Sequence, residues 1–409
     1  MTQTQADTTI QRPATTQDVA DIIMDAAQAG QGLAITGNGT RPGLGNPVAA
    51  PITLSLGGLD KVDFYDPEDL VIRVGAGITL DEVEAIVQAR GQYLPFEPPR
   101  YAGLYGTDPR RCTLGGAVAT ALSGPRRILS GAVRDFVLGV EGVNGQGDVF
   151  KAGGRTMKNV TGYDLSKLVT GSYGTLAALT SLTIKVLPAP RAEITLVLPA
   201  ATLADDIALF CAIRALPLGV GGLARCMNDD GTCDVVIRIE GTQPGVAGNR
   251  LVLEGLLQSR GGARAIAQEE SQSLWADIRE LASLHPRADE LVWRVNLLAT
   301  STADFVARAR AAGCIGRFFI DWAGGVVFST MRGVQPEVDV LRYRKMAEAI
   351  GAKATLLRAP QEVLARFGAF PPLSAGVAAL AGRTRAAFDP AGILNPGRMS
   401  LQPQETAHA

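Results

Sequence analysis

The run TGNGTRPGLG, Thr36 to Gly45, directly follows a strand-like segment and is the first place where residue type and spacing could do chemistry. Gly37 and Gly39 let successive backbone N–H groups turn toward an anion, and such nests hold pyrophosphates. Pro42 stands where a Rossmann fingerprint needs its third glycine, and a strand follows in place of a helix. No Gly-Lys-Ser/Thr ending marks a P-loop either. An ordinary glycine-rich turn stays open as the alternative. Two further segments bear on the choice. CTLGGAVATALSGPRR, Cys112 to Arg127, puts paired glycines ahead of small residues, where a backbone can approach a ligand closely. KNVTGYDLSKLVTGSYGTLAALT, Lys158 to Thr180, adds Gly171, Gly174 and the hydroxyls of Ser172 and Thr175. Small residues with free amides and hydroxyls suit the phosphates and ribityl chain of a dinucleotide. Each segment alone could serve tight packing; together they favour a ligand.

The scarce residues narrow the chemistry. Only two histidines occur, His285 and His408, so a zinc site built on several histidines is excluded. Five cysteines, Cys112, Cys211, Cys226, Cys233 and Cys314, are widely spaced and form no C-x-x-C pair. That pattern argues against a disulfide framework, an iron–sulfur cluster or a structural zinc, and no metal site is expected. Redox chemistry here requires a bound cofactor.

These segments need elements to position them. Thr16 to Gly30 has helical spacing and a glycine stop. Leu33 to Thr36, Ile52 to Leu56 and Leu70 to Val74 read as strands. Thr79 to Arg90 reads as a helix, with Thr79 and Glu82 placed for a capping box. Residues 91–135 are Pro/Gly-rich with little periodicity, as expected of a stretch that wraps a ligand. Residues 135–150 predict a hairpin with the turn NGQG, Asn144 to Gly147, in which Asn144-Gly145 is the turn signal. A short helix from Leu165 leads through GSYGT into the strand SLTIKVLP. After Pro188 and Pro190 the character changes, and residues 191–365 alternate strands with helices such as 247–260 and 336–350. The pattern is α+β, because regular β-helix-β spacing is missing.

The chain has 409 residues, 46% of them hydrophobic and 19% charged, enough for a sizeable core in two or three domains. Its net charge of -1 gives no pull toward nucleic acid. The N-terminus lacks the basic start and apolar stretch of a secretory signal, and no run is long enough to span a bilayer. A cytoplasmic protein is expected.

MKNVTGYDLSKLVTGSYGTLAALT resembles the K-N-x-x-G-Y-D-L…G-S-x-G-T-L-G-x-x-T segment of FAD-binding 2-hydroxyacid dehydrogenases of the vanillyl-alcohol-oxidase type, the PCMH-type FAD fold. TGNGT and TLGGAVAT stand in that family's order, and FDPAGILNPGRM is similar to its C-terminal D-P-x-x-I-L-N-P-G signature. LPFEPPR, LSGPRR, GAVRDFVLGVEGVNGQG and GGRTMKNVTGYDLSKL resemble the FAD-binding E-subunit family of bacterial glycolate oxidases. The resemblance covers most of residues 30–190 plus 388–399.

The resemblance implies a PCMH-type FAD-binding domain of two α/β subdomains over 15–190, after a flexible lead-in at 1–14. An α+β cap domain with an antiparallel sheet would occupy 191–370. Residues 371–400 would return to the FAD site, leaving a tail at 401–409. It further implies that Thr36, Gly37, Asn38, Gly39 and Thr40 cradle the pyrophosphate of non-covalently bound FAD. Leu114, Gly115, Gly116, Ala119, Ser123 and Gly124 would line the dinucleotide path. Gly131, Asp135 and Val137 would hold the adenosine half, and Ser172, Gly174, Thr175 and Leu179 the rest. Asn395 would close the site from the C-terminus, with plain turn chemistry before Pro396 as the alternative.

Two departures stand out. Ala177 replaces the family's second glycine, adding a methyl where the backbone approaches the flavin. The metal-binding and acid–base histidines of related dehydrogenases have no counterpart, and His285 reads as a helix-end residue. Oxidising an α-hydroxy acid needs a base and a cationic clamp. Arg126, Arg127 and Arg134 are candidate cations, and no base is evident. The reading is therefore an FAD subunit of a multi-subunit glycolate oxidase. A sister FAD-binding dehydrogenase subunit would hold the main substrate site for glycolate, and an iron–sulfur subunit would accept electrons. Through that complex it would reach the inner membrane peripherally. The alternatives are a non-catalytic assembly subunit and a stand-alone FAD-dependent 2-hydroxyacid oxidoreductase.

Overall fold

The computed structural model describes residues 9–155, 163–228, 230–287, 290–332 and 336–400. The K-N-V-T-G part of the sequence motif and the tail at 401–409 lie outside the described residues.

A three-stranded and a five-stranded sheet carry the N-terminal part. Strand Leu33–Thr36 pairs in parallel with Ile52–Ser55, which pairs in turn with Thr9–Gln11. Residues 9–11 are thus a sheet edge and not part of a flexible lead-in; pairing with Ile52–Leu54 satisfies backbone groups that a loose segment leaves to water. Helix Thr16–Ala29 starts with a capping box between Thr15 and Asp18 and stops at left-handed Gly30, φ 64°. Its buried face, Val19, Ala20, Ile23 and Ala26, packs on Leu33, Leu54 and Leu56. Ile393 and Leu394 join the same core, because the C-terminal segment runs along the strand Leu33–Thr36: Leu33 N–H donates to Ile393 O and Asn395 N–H to Leu33 O.

A five-stranded antiparallel sheet follows, in the order Val62–Asp66, Val71–Gly75, Ala178–Lys185, Val137–Val143, Val149–Gly153. Helix Leu80–Gln88 carries the expected capping box of Thr79 and Glu82 and buries Leu80, Val83 and Val87 on this sheet. The hairpin turn falls at the expected run Asn144 to Gly147. It spans residues 144–148, with Asn144 Oδ1 accepting from the amides of Gln146 (2.9 Å) and Asp148 (3.0 Å), and the left-handed residue is Gly147, φ 85°. Gly145 is needed for another reason: a side chain there would run into Asp389 of the returning C-terminal segment. Residues 91–135 are not structureless. They hold short helical turns at Ala102–Tyr105, Pro109–Arg111, Leu114–Ala119, Arg127–Ser130 and Val133–Phe136, too short for a periodic signal.

The C-terminal part is built on an eight-stranded antiparallel sheet. Its order is Arg264–Ile266, Ala192–Pro199, Cys233–Gly241, Val220–Met227, Phe318–Asp321, Val326–Arg332, Glu290–Asn296, Lys353–Arg358. Strand residues alternate between two faces. One face, with Leu223, Ile237, Trp293 and Ile320, packs under helices such as Leu203–Arg214 and Ala299–Ala311. The other, with Val292, Phe319 and Phe328, meets Leu44, Tyr101, Leu104 and Leu122 from the N-terminal part in a shared apolar core.

A buried ion cluster spans the same junction. Arg126 donates to Glu97 (2.8 Å), Glu240 (2.8 Å) and Glu193 (3.2 Å), while Arg238 donates to Glu97 (2.9 Å). Arg126, a candidate substrate cation in the sequence, is therefore fully consumed by carboxylates. Its sequence position gave no hint of this, since two of the three acids lie on the distant sheet. Glu280 adds a second tie, accepting from the amides of Arg100 (3.0 Å) and Tyr101 (2.7 Å).

Candidate functional site

A cleft of about 290 Å³ opens where the strand Leu33–Thr36 ends, at the lower edge of the ~300–1,000 Å³ usual for small-molecule sites. The loop Thr36–Thr40 forms one wall. Its geometry follows from outward ties: Ser55 Oγ donates to Gly37 O (3.0 Å), Asn38 Nδ2 to Arg111 O (3.0 Å) and Thr107 Oγ1 to Thr40 O (2.8 Å). The amides of Asn38, Gly39 and Thr40 donate to no group among the described residues. Gly39 is left-handed, φ 68°, and a Cβ built on it would meet open space. Gly37 is a glycine because a side chain would strike Thr113, whose hydroxyl accepts from Gly116 N–H to start helix Leu114–Ala119.

That helix forms the second wall through Gly115, Gly116 and Ala119. Gly174 and Leu179 form the third, with Ala177 beside them. Asn395 closes the cleft and also ties it together: its Oδ1 accepts from Ile35 N–H (2.8 Å) and its Nδ2 donates to Tyr173 O (2.7 Å). Gly174, φ 70°, must lack a side chain because Asn395 Nδ2 lies 2.7 Å from where its Cβ would be.

The other sequence candidates stand behind these walls. Leu114 is buried in the core of the five-stranded sheet. Ser123 Oγ accepts from Val133 N–H (3.1 Å), and Gly124 N–H donates to Phe96 O. Gly131, φ 102°, adjoins Asp135, whose carboxylate accepts from Ala132 N–H (2.8 Å). Val137 is buried, its carbonyl taken by Lys167 Nζ (2.6 Å). Thr175 Oγ1 donates to Ser172 O (2.7 Å). Thr40 Oγ1 already accepts from the Cys112 thiol (3.3 Å), so that thiol is engaged in packing beside the loop. Arg134 donates to Thr170 O (3.3 Å), and His285 caps the short turn Ala282–Leu284 with its ring against Gly103, away from the cleft.

Among the lining residues that escaped the sequence reading are Arg41, Thr120, Tyr173 and Arg398. Arg41 directly follows the loop and Tyr173 sits inside GSYGT, so proximity to the glycines was the available signal.

Residues 8–153 match the FAD binding domain family model. Glycolate oxidase subunit GlcE of Escherichia coli (strain K12) is 34% identical over 90% of this chain and 92% of its own length. The chain belongs to the GlcE family. D-lactate dehydrogenase of Anaerostipes hadrus is 34% identical over 43% of this chain and 36% of its own. Substrate-bound p-cresol methylhydroxylase shares the fold at 16% identity, with TM-score 0.72 over 96% of this chain and 88% of that one. This GlcE-family chain is thus α+β with a PCMH-type FAD-binding fold, and its cofactor is FAD. The cleft fits that group: three unspent loop amides and glycines whose missing side chains keep the walls close suit a pyrophosphate.

One buried acid near this junction was missed from sequence. Asp321 ends the strand Phe318–Asp321 and accepts from Trp322 N–H (2.6 Å). Burial pushes its carboxyl up to about 7, from 3.8, against the pull of that hydrogen bond and of Arg238. A raised folded value means the stability it contributes is present at low pH and lost as pH rises through about 7. Asp321→Asn removes the ionisation and keeps an acceptor for Trp322 N–H. Its stability gain over the parent is expected to grow as pH rises toward 7 and to level off above. Thermal melts from pH 4 to 9 check this, each kcal/mol reading as roughly 2–4 °C at 150–250 residues. A constant gap across that range would contradict it.

Proposed function

We propose that this chain is the FAD-binding subunit of a multi-subunit glycolate oxidase that converts glycolate to glyoxylate and passes the electrons to an iron–sulfur subunit. The observation that carries the reading is the wall of unspent amides at Asn38–Thr40 on a cleft that no histidine lines among the described residues. Residues 9–190 form the cofactor-binding unit, 191–370 the cap, and 371–400 the returning segment. Thr36–Thr40 hold the pyrophosphate through the loop amides. Gly115, Gly116, Ala119, Gly174, Leu179 and Asn395 flank the rest of the cofactor. Leu114, Ser123, Gly124, Gly131, Asp135, Val137, Ser172 and Thr175 support the path from behind or extend it toward the adenosine half.

When bound, FAD supplies a two-electron acceptor. The chain's own contribution is to hold it, to shield it with the cap sheet and to place cations beside it. Among the described residues the cysteines are free and scattered, and none clusters with other ligand types into a metal site, so onward electron transfer falls to a partner. The partners are a sister FAD-binding dehydrogenase subunit and an iron–sulfur subunit. No described helix is long and apolar enough to cross a membrane, so contact with the inner membrane would run through those partners.

The test pairs two measurements. Acid precipitation of the purified chain should release all flavin to the supernatant, because the nearby thiol, Cys112, is buried and bonded to Thr40. Glycolate-dependent dye reduction should be negligible for the chain alone and appear on co-expression with both partners. Flavin retained in the precipitate, or full turnover by the isolated chain, would reject the corresponding part of the reading.

A further inference from the structure

Helix Ala375–Phe388 lies in the returning segment, and none of its 14 residues is buried. Its sequence, AGVAALAGRTRAAF, holds six alanines, which keep a helix formed with little help from packing. The rest of the fold grips it at the C-terminal end. Gly145 N–H donates to Phe388 O (2.8 Å), and Phe388 packs edge-on against Phe150 with ring centres 6.1 Å apart. The Asp389 carboxylate just beyond accepts from the amides of Ile393 (3.1 Å) and Leu394 (2.8 Å). At the other end Pro371 and Pro372, with φ fixed by their rings, lead toward the first turn. The helix is formed and anchored, yet open to solvent along its length.

Its exposed side chains are those of an interface. Val377 and Leu380 are 53% and 58% exposed, Ala381 and Thr384 continue their face at helical spacing, and Leu373, 53% exposed, precedes the first turn. No charged residue occurs from Leu373 to Gly382. An apolar stripe of this kind on a formed helix suits a groove in another molecule. Charge decides which molecule. The helix's charged residues are Arg383 and Arg385, both cations, and neither pairs with a carboxylate among the described residues; Arg385 donates to Ser400 Oγ (3.4 Å). A parallel pair of these helices would set arginines beside arginines. An antiparallel pair would set them beside a helix N-terminus, which carries positive partial charge. A second copy is therefore disfavoured. Helices that lie on lipid carry a strongly charged face along their length, whereas the cations here are confined to the last turns, and Phe388 is turned onto Phe150. A protein groove with carboxylates near those last turns fits both features.

We propose that Ala375–Phe388 is a docking helix for a different polypeptide, seated in a groove that is apolar along its floor and carries carboxylates where Arg383 and Arg385 arrive. The inference rests on the multi-subunit reading for the source of that polypeptide, another subunit of the oxidase. The chain that leaves this helix carries Asn395 to the cofactor cleft, where it closes the site and binds Ile35 N–H. Docking thus takes place on the same returning segment that seals the flavin.

Co-expression of the tagged full chain with the sister FAD-binding and iron–sulfur subunits tests it, with retained subunits read by native mass spectrometry. The parent should hold a partner subunit in fixed ratio. Val377→Glu, Leu380→Glu and Arg383→Glu should each retain at least ten-fold less, and Arg383→Lys should retain it. Flavin content and melting temperature of the isolated chain should not change in any of them, because nothing in that chain buries these side chains. Full retention by the three glutamate variants overturns the docking helix and leaves the multi-subunit reading standing. Retention of neither subunit by the parent overturns both. A dimer of the chain alone that Leu380→Glu dissociates would give the helix to a second copy instead. Sedimentation of the chain alone with phosphatidylglycerol–phosphatidylethanolamine vesicles, abolished by Leu380→Glu, would give it to a lipid surface; either result overturns the proposal.

Discussion

Glu97→Ala is expected to lower the unfolding free energy by about 3–5 kcal/mol, the usual loss when one partner of a buried ion cluster is removed. Glu97 accepts two bonds from Arg238 (2.9 and 3.0 Å), one from Arg126 Nη1 (2.8 Å) and one from Arg126 N–H (3.0 Å). Its removal takes the shared carboxylate from two guanidiniums that remain out of water at the junction of the two parts. Arg126 keeps Glu193 and Glu240, so the larger share of the loss comes from Arg238, which is 1% exposed. Burial pushes the Glu97 carboxyl up, but Arg238 and Arg126 outweigh it and hold the group at about 2, from 4.5. A depressed folded value contributes stability above pH 4.5 that is lost as pH falls through about 2. Urea unfolding at pH 7 and pH 3 should therefore show the parent losing stability on acidification while Glu97→Ala loses less. A loss under about 1 kcal/mol at pH 7 would mean that the cluster is a surface-grade pairing, worth no more than exposed ion pairs are.

That cluster also marks where sequence reading stops. Local rules located the helix start at Thr79 with Glu82, the stop at Gly30 and the strand Leu33–Thr36, because caps, glycine stops and alternation act over a few residues. The glycine loop was legible for the same reason. Glu97 and Arg238 are 141 residues apart, and nothing near either announces the other. Arg126 read as a free cation because two of its three acids, Glu193 and Glu240, lie on a distant sheet. The strand Thr9–Gln11 exists only through its pairing with Ile52–Leu54, and three residues carry no usable period. Asn144-Gly145 marked the hairpin turn, but the second task of Gly145, the close approach of Asp389, was hidden because a turn signal and a packing need look alike in sequence. The motif resemblance bridged part of this gap by naming Asn395, which lies 360 residues from its partner Ile35. It did not name Arg41, whose buried Nη1 has no partner among the described residues, a feature that only packing reveals.

Gly39→Val is expected to abolish most flavin binding while the fold persists. Gly39 holds φ 68°, and the position its Cβ would take meets no atom within 4 Å, so the protein itself does not forbid a side chain there. Two effects must be separated. Forcing an L-residue into left-handed backbone costs about 1–2 kcal/mol, more for a β-branched one, and this lowers stability alone. Filling the open space beside three free amides blocks the approach of a pyrophosphate, and this lowers flavin content. Gly91 supplies the control: it is left-handed at φ 66°, equally open, exposed, and follows the helix Leu80–Gln88 away from the cleft. Gly91→Val should lose a similar amount of stability in urea and keep its flavin. Gly39→Val should lose both, with far-UV circular dichroism unchanged and flavin absorbance relative to protein falling at least ten-fold. Gly39→Ala should fall between, since one methyl intrudes less than three carbons. A Gly39→Val chain that folds and retains its full complement of FAD would show that the amides of Asn38–Thr40 face solvent, and the pyrophosphate would then have to bind along the Gly115–Ala119 wall instead.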